Sequence, residues 1–303
     1  MNALEALDLR RAFGGNQAVD GLSLRVPAGE LYGLVGPDGA GKTTTLRMLA
    51  GLLEPDGGEV LVNGRPFGTD AGPARAVLGY MPQQYSLYGD LSVDENLTFF
   101  GRLFGLSRAE RTERMDRLLH ITRLTRFRDR RAEALSGGMY KTLALACALL
   151  HQPEVLLLDE PSNGVDPVSR RELWDLLHDF VAGGMAVLLC TPYMDEASLC
   201  HRVGLLHHGR LLAEGAPADL VARFRHPTLR LFVDDRDAAE SDLAADDAIL
   251  AVSPEGAALR VVVRRDAQDP LARFGGRVEP VAADFEDVFL GLVRDPTSVA
   301  AEG

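Results

Sequence analysis

Short runs in which apolar and polar residues alternate fill the first 65 positions: "LEALDLR", "AVDGLSLRV", "ELYGLVG" and "EVLVN". Separated by glycine-containing turns, they predict β-strands, and "NGR" at Asn63-Gly64 marks a hairpin. Between the third and fourth runs a helix is expected, starting at the glycines before Lys42 and turning Leu46, Leu49 and Ala50 inward. From Leu91 to about Leu135 the apolar spacing becomes i, i+3, i+4. "SVDENLTFFGRLFGL" and "SRAERTERMDRLLHI" predict two helices, with Ser107 and Glu110 as a capping box. An all-helical insertion over about residues 85–135 thus interrupts the pattern. It resumes with a helix through "MYKTLALACALL", the apolar strand "VLLL" (155–158), a helix over "VSRRELWDLLHDFVAGG", a strand ending at Cys190 and a hairpin "GLLHHGRLLAEG". Apolar strands separated by helices predict an α/β fold with a parallel sheet covered on both faces.

After Phe224-Arg225-His226-Pro227 the composition shifts to Ala, Asp and Val. "LRLFV" and "AILAVSPEGAALRVVV" read as strands, the latter turning at Pro-Glu-Gly. "DFEDVFLGLV" places Phe285, Val288, Phe289 and Leu292 on one helical stripe. The expected division is a main domain over 1–225, a small α+β domain over 228–293 without chemistry of its own, and a tail over 294–303.

With 303 residues, 46% of them hydrophobic, the chain can bury an ordinary core. Its longest apolar stretch, "LALACALL", is far short of the roughly 20 residues that cross a bilayer, and "MNALEALDLRR" has no signal-peptide core. A soluble protein that stays where it is made is expected. Cys147, Cys190 and Cys200 lack ligand-like spacing and are expected to be buried thiols of a reducing cytosol. The net charge of −12 argues against nucleic-acid binding. Residues 228–303 hold 16 acids against 8 arginines, whereas residues 102–131 hold ten arginines against four acids. Each stretch reads as solvated surface or as a docking face for a partner or anionic lipid.

"GPDGAGKT", Gly36 to Thr43, fits G-x-x-x-x-G-K-[ST] between a strand and a helix. Gly39 and Gly41 let the backbone N–H groups curl toward an anion, with Gly36, Pro37, Asp38, Ala40 and Thr44 completing the loop. The helix N-terminus adds its dipole, Lys42 neutralises β and γ phosphates, and Thr43 offers a hydroxyl to Mg²⁺. ATP or GTP is the ligand this loop implies. In "VLLLDEP" a buried strand delivers Asp159, to hold Mg²⁺, and Glu160, to polarise the attacking water.

"LSGGM" (Leu135 to Met139) opens a helix 20 residues before Asp159. The P-loop, the glutamine of "YMPQQ", this LSGG stretch and "LLLDEP" followed by "SNGVDP", in that order, resemble the ATP-binding cassette of ABC transporters over about residues 4–220. The resemblance implies a P-loop NTPase (RecA-like) core with an antiparallel β subdomain and an inserted α-helical subdomain, binding ATP and Mg²⁺. It makes Phe13 the adenine-stacking aromatic, or else a core phenylalanine. Gln83, rather than Gln84, becomes the residue that contacts Mg²⁺ and reports to the membrane subunit. Ser136, Gly137 and Gly138 become the signature that caps the γ-phosphate of the opposite subunit in a head-to-tail dimer, and Asp166 the aspartate at the dimer seam.

Two departures stand out. Met139 replaces the usual signature glutamine, and "TPYMDEA" puts Pro192 where the family carries a histidine that bonds the γ-phosphate and the catalytic water. Proline has no side-chain donor, and Tyr193 is expected to point to the other side of an extended segment. The motif set looks like the first cassette of bacterial exporters with two unequal cassettes in tandem, and the C-terminal stretch resembles cassettes serving ABC-2 type permeases. The resemblance therefore implies an exporter subunit on the cytoplasmic face of the inner membrane, with an impaired site of its own and a histidine-bearing second cassette as partner. An ABC-2 type permease and a periplasmic membrane-fusion protein are further implied partners. A fully active homodimer and a non-transport regulatory cassette protein remain open alternatives.

Overall fold

The computed structural model describes residues 2–67, 72–84 and 87–299. Strands β1 (Asn2–Phe13) and β2 (Asn16–Pro27) pair antiparallel. β3 (Leu31–Val35) leads to helix α1 (Lys42–Leu49). β4 (Gly57–Val62) returns beside β1 and turns at Asn63-Gly64, both at positive φ, into β5 (Arg65–Pro66). Together these make an antiparallel sheet of order β2-β1-β4-β5.

After α2 (Gly72–Ala76) and β6 (Leu78–Met81), the helical insertion consists of α3 (Val93–Leu103) and α4 (Arg108–Ile121). The first residues of the expected insertion, 85 and 86, lie outside the described residues. Both helices open on complete capping boxes, Ser107 with Glu110 as expected and also Ser92 with Glu95.

α5 (Gly137–Leu149), β7 (Val155–Asp159), α6 (Pro167–Ala182), β8 (Ala186–Thr191), the short α7 (Met194–Ala197) and the hairpin β9 (Arg202–His207) and β10 (Arg210–Gly215) complete the α/β core. Its sheet has the order β10-β9-β3-β8-β7-β6, parallel except at β10. Every residue of β3, β7 and β8 is buried, as helices on both faces require. β8 runs one residue past the expected end, to Thr191. The register pairs Val35 with Thr191 and Asp159 with Cys190. The P-loop, the segment after Thr191 and the Asp159-Glu160 pair therefore leave three neighbouring strands at the same sheet edge, where open α/β sheets bind ligands.

α8 (Pro217–Ala222) precedes a second antiparallel sheet built from β11 (Thr228–Phe232), β12 (Ile249–Glu255), β13 (Ala258–Val263) and β14 (Arg277–Val281), in the order β12-β13-β11-β14, with α9 (Arg236–Ala244) packed against it. The β12–β13 turn falls at Gly256, the last residue of the expected Pro-Glu-Gly turn, because Glu255 still pairs with Ala258. The last helix, α10 (Phe285–Arg294), alters the expected division of the chain. Its stripe of Phe285, Val288, Phe289 and Leu292 is buried in the same core as Leu205, Leu220 and Ala197 of the main domain, against α7, α8 and β10. The residues after it are no loose tail as far as they are described. Arg225 N–H donates to the Ser298 carbonyl (3.0 Å), Phe224 bridges to Val299, and Ser298 is fully buried. Residues 300–303 of the expected tail lie outside the described residues.

Truncating a buried leucine to alanine costs about 2 to 5 kcal/mol. Leu292→Ala should therefore lower the urea midpoint of the main domain's unfolding, followed by the fluorescence of Trp174, which is buried in that same core. An unchanged Trp174 transition would mean that the appendix folds independently.

Candidate functional site

The ends of β3, β6, β7 and β8 supply the site, and the turns after them aim it. Gly41 caps α1 at φ +107° with no side-chain cap, leaving the first helical N–H groups to face an anion. A Cβ there would lie 2.3 Å from the Ala18 carbonyl, so only glycine fits. The nearly buried Lys42 ammonium donates to the Gly36 carbonyl at 2.8 Å and the Pro37 carbonyl at 3.0 Å, with Asp38 at 3.9 Å. An ammonium held by two loop carbonyls is poised for exchange onto phosphate oxygens.

Thr43 Oγ1 donates to Asp159 Oδ1 at 3.1 Å. Burial pushes the Asp159 carboxyl above the usual carboxylate range, with the Thr43 hydrogen bond opposing that shift. A hydroxyl and a partly desolvated carboxylate side by side beside the phosphate loop form the hard-oxygen pair that Mg²⁺ takes, so these residues fit the ion.

Glu160 follows in the left-handed region at φ +48°, a conformation a non-glycine residue adopts at a cost. Its Oε2 accepts from Gln83 Nε2 at 2.6 Å and from Asn163 Nδ2 at 3.0 Å. Lys141 of α5 ties these two segments together, donating to the Gln83 carbonyl at 2.7 Å and the Glu160 carbonyl at 3.4 Å. Its burial lowers the ammonium's pKa, with the Glu160 and Asp159 charges opposing.

An open cavity of about 580 Å³ lies over the loop. Asp38, Gly39, Gly41, Lys42, Thr43, Thr44, Gln83 and Glu160 line it, as do Asn16, Gln17, Ala18 and His208. Phe13 is not among the lining residues. It is 46% exposed, with the Arg11 guanidinium 4.9 Å from its ring centroid. It is thus no core phenylalanine, and in this conformation the start of β2 presents Asn16 and Gln17 to the cavity instead.

Ser136, Gly137 and Gly138 also lie outside this cavity. Ser136 is the exposed N-cap of α5, its Oγ accepting from Met139 N–H at 3.3 Å. Asp166 caps α6 through Oδ1 to the N–H groups of Val168 and Ser169, both at 3.0 Å. The two caps adjoin, since a Cβ on Gly138 would sit 2.5 Å from Ser169 Cβ and one on Gly137 2.8 Å from the Gly164 carbonyl.

The segment after β8 does not stay extended. It turns at Pro192 into α7, Tyr193 N–H donates to Thr191 Oγ1 (3.1 Å), and Thr191 donates in turn to the buried Glu196 Oε2 (2.6 Å). The turn brings Tyr193 round to the site, against the expectation that it faces away: its hydroxyl donates to Asn163 Oδ1 at 3.4 Å. Sequence reasoning missed Asn163, Lys141 and His208. Lys141 carried a signal, as the one charge in "MYKTLALACALL", whereas a hairpin-turn histidine carries none.

Residues 19–163 match the ABC transporter family. The chain is 41% identical over 296 residues to the Nod factor export ATP-binding protein I of Paraburkholderia xenovorans, covering 96% of each chain, so that likeness runs into the C-terminal sheet. It is 43% identical over 220 residues to the probable multidrug ABC transporter ATP-binding protein YbhF of Escherichia coli, a match that covers 73% of this chain and 38% of the length of that protein. With the daunorubicin/doxorubicin resistance ATP-binding protein DrrA of Streptomyces peucetius it shares 40% over 271 residues, 89% of this chain and 79% of that one. Among solved structures, an ATP-binding subunit of an ABC transporter superposes with a TM-score of 0.66 at 31% identity, over 73% of this chain and 92% of that one. The cbiO1 protein of Clostridium perfringens, part of the ABC transporter complex cbiONQ, gives 0.67 at 27%, over 73% and 91%.

Proposed function

The chain belongs to the ABC transporter family of ATP-binding subunits, and on that premise we propose that it binds and hydrolyses Mg-ATP to power an ABC-2 type exporter, with an impaired site of its own. The observation that carries the second half is Pro192. It sits immediately past the end of β8, next to the strand that delivers Asp159, and has neither a side-chain donor nor an N–H to offer a γ-phosphate.

Lys42 and the free N–H groups of α1 bind the phosphates, Thr43, Asp159 and Gln83 hold the ion, and Glu160 polarises the attacking water. Mg²⁺, when bound, neutralises the charge that develops on the transferred phosphoryl group. The Ser136-Gly137-Gly138 helix start, exposed at Ser136 and Gly137, is a second anion-binding end outside this cavity. Its occupant is the γ-phosphate held by a second cassette, in a head-to-tail heterodimer whose partner retains the histidine.

The membrane partner is an ABC-2 type permease, which places the chain on the cytoplasmic face of the membrane; a periplasmic membrane-fusion protein completes such an exporter. Among the described residues no helix is long and apolar enough to cross a bilayer, so the spanning part falls to that permease. Exposed aromatics on and before α3, Tyr88 packed on Phe99 with ring centroids 4.7 Å apart, support a docking face close to Gln83.

Assembly with the permease should slow amide exchange across residues 83–104. Hydrogen exchange of the free chain and of the complex purified from membranes tests this, and equal exchange in the two would remove the membrane partner from this surface.

A further inference from the structure

We propose that Tyr193 is a positioning residue for the Glu160 carboxylate, acting through Asn163. The inference rests on the reading of Glu160 as the group that polarises water in this ATP site. A carboxamide has one accepting and one donating end, and turned the wrong way Asn163 would present its oxygen to a carboxylate. The Tyr193 hydroxyl, donating to Asn163 Oδ1 at 3.4 Å, occupies the accepting end and leaves Nδ2 aimed at Glu160 Oε2, 3.0 Å away. Gln83 holds the same oxygen at 2.6 Å. Among the described residues no protein donor reaches Oε1, which is left for a water in the cavity that Glu160 lines.

The tyrosine is itself held from behind. The Arg170 guanidinium of α6 lies 5.3 Å from its ring centroid, and Tyr193 N–H is fixed by Thr191. Arg170 is fixed in turn by the buried Glu196, 3.9 Å from its Nε. That contact is otherwise unexplained: Glu196 Oε1 and Arg170 Nε are both buried without a hydrogen-bond partner, so their mutual attraction compensates their loss of water. The result is a continuous path from Glu196 through Arg170, Tyr193 and Asn163 to Glu160. It exists because Pro192 bends the chain into α7 and turns Tyr193 toward the site. Beside the proline that offers no phosphate donor thus stands a side chain that orients the carboxylate, and the turnover this site retains depends on it.

The test measures Mg-ATP-dependent phosphate release by the purified full chain, with the Glu160→Gln variant defining the background. Tyr193→Phe removes one hydroxyl without changing shape, and losing one neutral hydrogen bond corresponds to a drop of roughly threefold to tenfold. The drop should fall on kcat, with KM for ATP unchanged. Asn163→Ala should lower kcat at least as much, and the double variant should match Asn163→Ala alone, because the hydroxyl acts only through that carboxamide. A Tyr193→Phe variant at the wild-type rate, additive losses, or a loss confined to KM would overturn the proposal. So would a wild-type chain no faster than its Glu160→Gln background, an outcome that leaves the impaired-site reading standing. Thermal melts of each variant separate a folding defect from a positioning one.

Discussion

Lys42→Ala should abolish the stabilisation that Mg-ATP gives the full chain. A ligand present at 100 times its Kd stabilises the fold by about 2.7 kcal/mol, which a thermal melt reads directly. The ammonium donates to the Gly36 and Pro37 carbonyls, so it already stands among the N–H groups that meet the phosphates. Its removal leaves the helix dipole, the loop N–H groups and Mg²⁺ to hold the phosphates without the one protein cation in the loop. The variant should melt at the same temperature with and without Mg-ATP. A wild-type shift in Lys42→Ala would place the nucleotide outside this cavity.

The phosphate loop and the two carboxylates were legible in the sequence because each depends on local rules. Glycines permit the curl at 39 and 41, and a continuous apolar run has to be a doubly covered strand that ends at the ligand edge. The helical insertion was legible for the same reason: Ser107 and Glu110 announce a helix start within four residues. Features that depend on contacts between distant segments were not. The amphipathic stripe of α10 is plain in "DFEDVFLGLV", yet nothing local says that it joins the core of Leu205 and Leu220 while the helix also lies against β12 of its own sheet.

Tyr193 is the most instructive difference. Alternation along an extended strand would turn it away from the site, but β8 ends at Thr191 and the chain bends at Pro192 before α7 begins at Met194, which redirects the side chain. Lys141 needed the fold, since it reaches the Glu160 carbonyl from α5, whereas Asn163 stands three residues after Glu160 in the same loop and its contact depends on how that loop turns. Phe13 shows the converse: a residue assigned by resemblance sits, in this conformation, under Arg11 and outside the cavity lining.

Ser136→Arg should stop most ATP turnover by the assembled transporter, while Glu160→Gln in the same chain should scarcely change it. Ser136 caps the exposed start of α5, far from the chain's own phosphate loop in function, and a bulky cation there would fill the γ-phosphate position of the second cassette's site. Glu160 serves only the site beside Pro192. Removing one preorganised transition-state contact typically costs about 10² to 10³ in rate, which on the proposed reading makes that site a minor contributor. The Tyr193–Asn163 contact recovers only a fraction of that loss, because it orients the carboxylate without touching the phosphate.

Steady-state phosphate release by the reconstituted complex, with both variants shown to be folded and assembled, is the direct measurement of this asymmetry. The account predicts near-wild-type turnover for Glu160→Gln and little turnover for Ser136→Arg; equal loss in the two variants would contradict it and show that this site hydrolyses ATP at full weight despite its proline.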